Sequence, residues 1–275
     1  MKPANIWLQA LRWLRLMVHL LRGAGIVALL FPFSNPTQQR ALRQRWSGQL
    51  LHCLGVGLSL PQLVPNRGEL LVSNHISWLD IFVFNACAAI DFVAKDEVQH
   101  WYFFGWLARK NGTLFLPRYS PLQVQALNVQ LLTRLQSGES VLVFPEGTTS
   151  TGLGVLPFHP ALFQAAIDAN CGVQTLALQY TNEAGQRSTA PAYAGETTIW
   201  QSLCSIIASA GLQAQVQVCP RLLPDDAQRQ RRRLANSARA LVLEATQGQS
   251  LNTATSQGAN TTIRQLSQLQ LEVGT

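Results

Sequence analysis

His75 and Asp80 stand five residues apart in the segment Asn74-His75-Ile76-Ser77-Trp78-Leu79-Asp80. An imidazole and a carboxylate can serve as a base and its orienting partner, the part of a catalytic triad that takes a proton from a hydroxyl. Imidazole titrates near neutral pH, which suits that task. A spacing of five is wrong for one helix face, where neighbours sit three or four residues apart. A break in the chain solves the geometry. Leu70-Leu71-Val72 reads as the end of a buried strand, Ser77 as a helix N-cap, and Asp80 as the acidic residue of the first turn, as in a capping box. His75 then sits on a strand-to-helix loop, with Asp80 folding back toward its ring. Ser77 is better used as a cap than as a nucleophile, because the chain has no GxSxG elbow.

Two more segments add chemistry. Gly112-Thr113-Leu114-Phe115-Leu116-Pro117-Arg118 ends a strand on an arginine, and a guanidinium can hold an anionic group through two parallel hydrogen bonds. Phe144-Pro145-Glu146-Gly147-Thr148-Thr149-Ser150 follows the apolar strand Val141-Leu142-Val143. There Gly147 permits close backbone approach, and Glu146 either accepts hydrogen bonds from hydroxyls or orders the loop. Thr148, Thr149 and Ser150 supply further polar contacts. Lys95, just after a strand, offers a second positive charge or a solvated one.

In this order and at these separations, the three segments resemble the NHxSWxD, GxxFxxR and FPEGTxS blocks of the glycerolipid acyltransferase family, of the bacterial 1-acyl-glycerol-3-phosphate type. The resemblance runs from about the second N-terminal helix to about Glu244. It implies direct acyl transfer from a thioester, acyl-carrier protein or coenzyme A, to the free hydroxyl of a lysophospholipid, with no acyl-enzyme and no cofactor. It implies His75 and Asp80 as catalytic residues, with Arg118, Glu146, Gly147 and Thr148 at the acceptor site, to which Lys95 is added as a candidate from its place after a strand. Lysophosphatidate is the first expectation for the acceptor and a lyso-ornithine lipid the alternative. A non-catalytic membrane-binding protein on the same scaffold is the reading from another class, and the intact His75/Asp80 pair argues against it. The chain departs from the pattern at Pro157-Phe158-His159-Pro160-Ala161, where many relatives read PFKxG, and Leu176-Ala177-Leu178 lacks the proline of a fourth block.

The elements that must position these residues follow from composition and periodicity. Of 275 residues, 47% are apolar and 13% charged, an oily balance for an enzyme working in water. The net charge of +7 is concentrated at one end: residues 1 to 68 carry Lys2, Arg12, Arg15, Arg22, Arg40, Arg43, Arg45 and Arg67, with no Asp or Glu. That asymmetry points to anionic lipid more than to nucleic acid, which no zinc-finger or RNA-binding signature supports, so no nucleic-acid partner is expected. Arg12, Arg15, His19 and Arg22 fall on one helical stripe, with Trp7, Leu14, Met17 and Leu21 across the remainder, the pattern of a helix lying in a membrane interface. The uncharged run Gly23 to Phe33 is shorter than the ~20 residues a spanning helix needs. A second helix, Pro36 to Leu54, carries Leu42, Trp46, Leu50 and Cys53 on its apolar stripe, with Arg40, Arg43 and Arg45 set for headgroups.

From Gly55 onward, short apolar strands alternate with helices, which predicts an α/β layered domain with a central sheet. Strands are expected at Glu69–Ser73, Asp91–Ala94, Thr113–Leu116, Val141–Phe144, Thr175–Gln179 and Ala214–Val218. Helices are expected at Trp78–Ala88, Val98–Arg109, Ser120–Gln136, Ala161–Ala169, Ile199–Ser209 and Asp225–Thr246. The organisation reads as a membrane-attaching helix pair over 1–54, an acyltransferase domain over 55–247 and a polar, mobile tail over 248–275. Five scattered cysteines without a CxxC pair suit a reducing compartment, and no metal site is expected. The expected location is the cytoplasmic face of a bacterial inner membrane.

Overall fold

The computed structural model describes residues 3–59, 65–95, 114–116, 121–223 and 230–248. Helix α1 (Ile6–Gly25) runs on through a π turn (Ile26–Leu30) and a 3-10 turn (Phe31–Phe33). Helix α2 (Pro36–Leu54) starts at an Asn35–Gln38 capping box, with Pro36 at its first position. It ends at Gly55, whose φ of 75° is the left-handed value a C-terminal cap requires. The Arg12 side chain crosses close above Gly55, so a Cβ there would collide with its guanidinium.

The body then alternates as expected. Strands β1 (Val56–Ser59) and β2 (Leu70–Ser73) precede α3 (Asp80–Cys87), and β3 (Asp91–Lys95) and β4 (Leu114–Leu116) precede α4 (Pro121–Gln136). Next come β5 (Val141–Val143), a 3-10 turn (Pro160–Phe163), α5 (Gln164–Asp168), β6 (Val173–Thr181), α6 (Ile199–Ala208) and β7 (Leu212–Leu222). Residues 231–248 form helix α7. The seven strands make one sheet in the order β1-β7-β6-β2-β5-β3-β4, parallel except where β7 meets β6.

Strand β2 sits at the centre, its residues Leu70, Leu71 and Val72 paired to Val141, Leu142 and Val143. Both faces are covered, which explains why these strands read as continuous apolar runs. On one face Leu71, Leu142, Leu176 and Leu178 pack with Trp46, Leu50 and Leu54 of α2, Val83 and Phe84 of α3, and Ile206 and Ile207 of α6. On the other, Leu70, Val72, Val141 and Val143 meet Leu127, Leu131 and Leu135 of α4, Phe163, and Leu234, Ala238 and Val242 of α7. Each fully buried large side chain stabilises the fold by about 1.5–3 kcal/mol.

The structure departs from the sequence reading in places. Edge strand β1 was not expected; with four residues, one of them Gly57, it has little periodicity to read, and pairing with β7 creates it. The expected helix Ala161–Ala169 divides into the 3-10 turn and α5. Of the expected helix Asp225–Thr246, α7 covers the part from residue 231, and residues 224–229 lie outside the described residues. The expected helix Val98–Arg109 and the tail lie outside the described residues.

The N-terminal polar stripe is split. Arg12, 6% exposed, donates to the carbonyls of Ile207 and Ser209 at 2.7 Å each, closing the end of α6. His19 stacks on Trp46 with centroids 4.6 Å apart, while Arg15 and Arg22 stay exposed. The outward surface of α1 is largely apolar, with Trp7 80% exposed beside Leu14, Met17 and Leu21, and Phe33 of the 3-10 turn beyond it is 89% exposed. In α2, Arg43 is not set for headgroups. It is buried and donates to Asp91 Oδ1 at 2.9 Å, while Arg134 of α4 donates to Asp91 Oδ2 at 3.0 Å. One carboxylate thus ties α2, β3 and α4 together.

Asp91→Ala removes a buried carboxylate that two guanidiniums share and should lower unfolding stability by about 3–5 kcal/mol. Arg134→Ala keeps the Arg43 pair and should cost about 1 kcal/mol or less, because Arg134 is partly exposed. Denaturant midpoints of the two variants measure the difference.

Candidate active site

Strands β2, β5, β3 and β4 run parallel, so their carboxyl ends lie along one edge, the place where open α/β sheets bind ligands. His75 follows the last residue of β2 by two positions and Glu146 the last of β5 by three. Between strand and site, Asn74 stands in for backbone. Its Nδ2 donates to the carbonyl of Leu178 at 2.9 Å, and the N–H of Leu178 donates to its Oδ1 at 2.8 Å. The β2–β6 ladder ends at Ser73 opposite Leu176. The asparagine extends that pairing one step while the main chain turns away toward His75.

Asp80 is fully buried, and four donors meet its two oxygens. Oδ2 accepts from His75 Nδ1 at 2.8 Å, from the N–H of Ile76 at 2.7 Å and from the N–H of Ser77 at 3.0 Å. Oδ1 accepts from the Tyr180 hydroxyl at 2.8 Å. Every partner donates, which suits an ionised carboxylate, and an ionised carboxylate holds His75 as the Nδ1–H tautomer. Nε2 is then the nitrogen able to take a proton, on a side chain 19% exposed. The ring lies flat on Phe144, centroids 3.9 Å apart and planes 10° from parallel, so its rotation is blocked from below. The capping box forms in altered shape. Asp80 reaches back to Ser77 N–H as expected, but Ser77 Oγ accepts from Leu79 and the regular helix starts only at Asp80.

The second half of the site is the turn after β5. Gly147 adopts φ 68°, and its N–H returns to the carbonyl of Phe144 at 3.1 Å. Of the two roles open to Glu146, the geometry favours ordering the loop. Oε1 accepts from the N–H of His75 at 3.0 Å and Oε2 from that of Leu156 at 3.2 Å, on a side chain that is buried. Burial pushes this carboxyl up to about 7; the two N–H groups oppose the shift and the nearby Asp80 charge adds to it. Ser150 donates both its N–H, at 2.8 Å, and its hydroxyl, at 3.2 Å, to the carbonyl of His75, and Thr149 donates its hydroxyl to the carbonyl of Tyr193. These two side chains hold backbone, whereas Thr148 is exposed.

Lys95 ends β3 at the same edge of the sheet, and only its backbone is described. Arg118 lies outside the described residues, two positions past the end of β4. His159 donates its N–H to the carbonyl of Pro145 at 2.8 Å, so the departure from PFKxG falls directly beside the FPEG turn. Sequence reasoning assigned no role to Asn74, Phe144 or Tyr180. The first two sit inside the recognised blocks, where position gave the signal. Tyr180 lies 100 residues from Asp80 and shares a face with Leu176 and Leu178, a phase legible only once β6 is aligned with β2.

This mixed α/β fold, with the imidazole of His75 at the carboxyl edge of its sheet, matches the fold of a solved acyltransferase. The 1-acyl-sn-glycerophosphate acyltransferase of Thermotoga maritima superposes with a TM-score of 0.66 over 89% of this chain and 95% of that one, at 16% identity. A family model described as Acyltransferase matches residues 57–179, which carry both halves of the site. A lyso-ornithine lipid O-acyltransferase of Pseudomonas aeruginosa is 34% identical over 192 residues, 65% of this chain and 74% of that protein. A 1-acyl-sn-glycerol-3-phosphate acyltransferase of Neisseria meningitidis is 40% identical over 157 residues, 55% of this chain and 62% of the relative's length. The chain belongs to this acyltransferase family.

The raised carboxyl of Glu146 predicts a pH signature. Between the ordinary value of 4.5 and about 7, the folded protein keeps a proton that the unfolded chain has released. Stability therefore falls as pH rises through that window and levels off above it. Unfolding free energies of wild type minus Glu146→Gln should be flat below the window and decline across it, since glutamine does not titrate.

Proposed function

We propose that the protein is an O-acyltransferase of phospholipid synthesis, moving a fatty acyl chain from an acyl-carrier-protein or coenzyme A thioester to the hydroxyl of a lysophospholipid. The observation that carries this reading is His75, two residues past the carboxyl end of β2, held through Nδ1 by a fully buried Asp80. The acceptor hydroxyl oxygen attacks the thioester carbonyl carbon as its proton passes to His75 Nε2. Asp80 stabilises the imidazolium, and collapse of the tetrahedral intermediate expels the thiolate, which takes the proton back from His75. Glu146 and Gly147 shape the floor of the site, and Arg118 and Lys95 supply positive charge for the acceptor's anionic group.

Lysophosphatidate is the acceptor we favour, in keeping with the three sequence blocks. A lyso-ornithine lipid is the second reading, supported by the longer match to the Pseudomonas protein. The helical stretch Ile6–Phe33 covers 28 residues, enough to cross a bilayer by length and composition. Its buried Arg12 and His19, packed against the body along one side, favour a helix lying in the interface with its apolar outer face toward lipid. The cytoplasmic face of a bacterial inner membrane fits both thioester donors.

His75→Ala should lower acyl transfer by ~10²–10⁴ while the protein stays folded. Asp80→Asn should be severely impaired through the wrong imidazole tautomer. Turnover of radiolabelled acyl donor at the wild-type rate in a folded His75→Ala protein would refute the mechanism.

Arg118→Ala should raise the Michaelis constant for lysophosphatidate by roughly one to two decades and leave that of the donor unchanged, the worth of a charged hydrogen bond. Arg118→Lys should recover part of the loss, since an ammonium lacks the planar fork. A defect confined to the lyso-ornithine acceptor would select the second reading.

A further inference from the structure

We propose that Tyr180 is a positioning residue of the reaction, acting through Asp80 on the orientation and basicity of His75; this rests on the function proposed above. Asp80 has two oxygens with different duties. Oδ2 is shared among His75 Nδ1 and the N–H groups of Ile76 and Ser77, all within five residues of the carboxylate. Those donors are local and would follow the loop wherever it moved. Oδ1 is held from outside the loop, by the Tyr180 hydroxyl on β6 at 2.8 Å. It is this bond that fixes the plane of the carboxylate, and with it the direction in which Oδ2 meets the imidazole, to the sheet.

The path that brings the phenol there is continuous. Asn74 locks both backbone groups of Leu178, which sets how β6 lies against the loop after β2. Tyr180 is two residues on, hence on the same face, and that face carries the core packed under α3. The Tyr180 carbonyl accepts from the N–H of Ser188 at 2.8 Å, and the residue pairs with Ala214 of β7, so its backbone is held on both sides. Burial, and then the charge of Asp80, raise the phenol well above its ordinary value, so it remains a donor throughout the working pH range. A tyrosine needed only for packing would leave its hydroxyl to any nearby carbonyl. Here the hydroxyl meets the one carboxylate that orients the base. Glu146 is the other carboxyl close to Asp80.

The test is Tyr180→Phe, which keeps the ring and removes the oxygen, compared with wild type and His75→Ala in the full-length protein. The expected result is a drop in kcat of about ten-fold, the lower end of what losing a group behind a functional ligand costs, with both Michaelis constants within about two-fold. With one donor gone, more negative charge faces the imidazole and its protonated form is favoured. The acid limb of the kcat profile should therefore move to higher pH by roughly half to one unit. Packing damage alone would lower the thermal midpoint without moving that limb. Tyr180→Phe with an unshifted limb, alongside an inactive His75→Ala, would overturn the role of Tyr180 and leave the acyltransferase reading standing. Full activity in His75→Ala would remove both.

Discussion

A carboxylate removed entirely from water must have its charge met by fixed donors, and that requirement at Asp80 organises the site. To supply them, the chain after β2 wraps so that two successive N–H groups point at one oxygen, while β6 brings a hydroxyl to the other. The histidine ring is the remaining donor. Its orientation is therefore a by-product of satisfying a buried charge, reinforced by the flat face of Phe144. Sheet order makes this possible, because β5 and β6 flank β2 on either side and each contributes one wall.

The His–Asp relation was legible in the sequence because it is local. A strand ending near Val72 and a helix starting near Asp80 leave a loop of fixed length, and any such loop brings the two side chains together. The FPEG turn was legible as a turn, but the role of Glu146 was not. A glutamate beside a glycine looks the same whether it addresses a ligand or the main chain, and only the distances to His75 and Leu156 decide. Tyr180 was invisible for a different reason: its partner is 100 residues away, and contacts between strands depend on register.

The N-terminal helices show a limit of periodicity. Arg12, Arg15, His19 and Arg22 do share a stripe, yet periodicity cannot say whether a stripe faces water or protein. Arg12 and His19 found carbonyl partners on α6 and α2, and the hydrocarbon side was turned outward. Arg43 likewise met Asp91 within the body. A guanidinium with an apolar stem can satisfy orphan carbonyls at the end of a helix as readily as it can meet a phosphate. What survives is the asymmetry: a greasy outer face with Arg15 and Arg22 beside it.

Glu146 addresses main-chain N–H groups at positions 75 and 156, and a main-chain N–H carries no record of the side chain attached to it. The tie thus constrains the course of the chain at Leu156 without dictating that residue's side chain. Three residues on, His159 stands where the PFKxG pattern has its lysine. Leu156 is itself 39% exposed, so its side chain can change without breaking the hydrogen bond through which Glu146 holds both this stretch and the loop of His75.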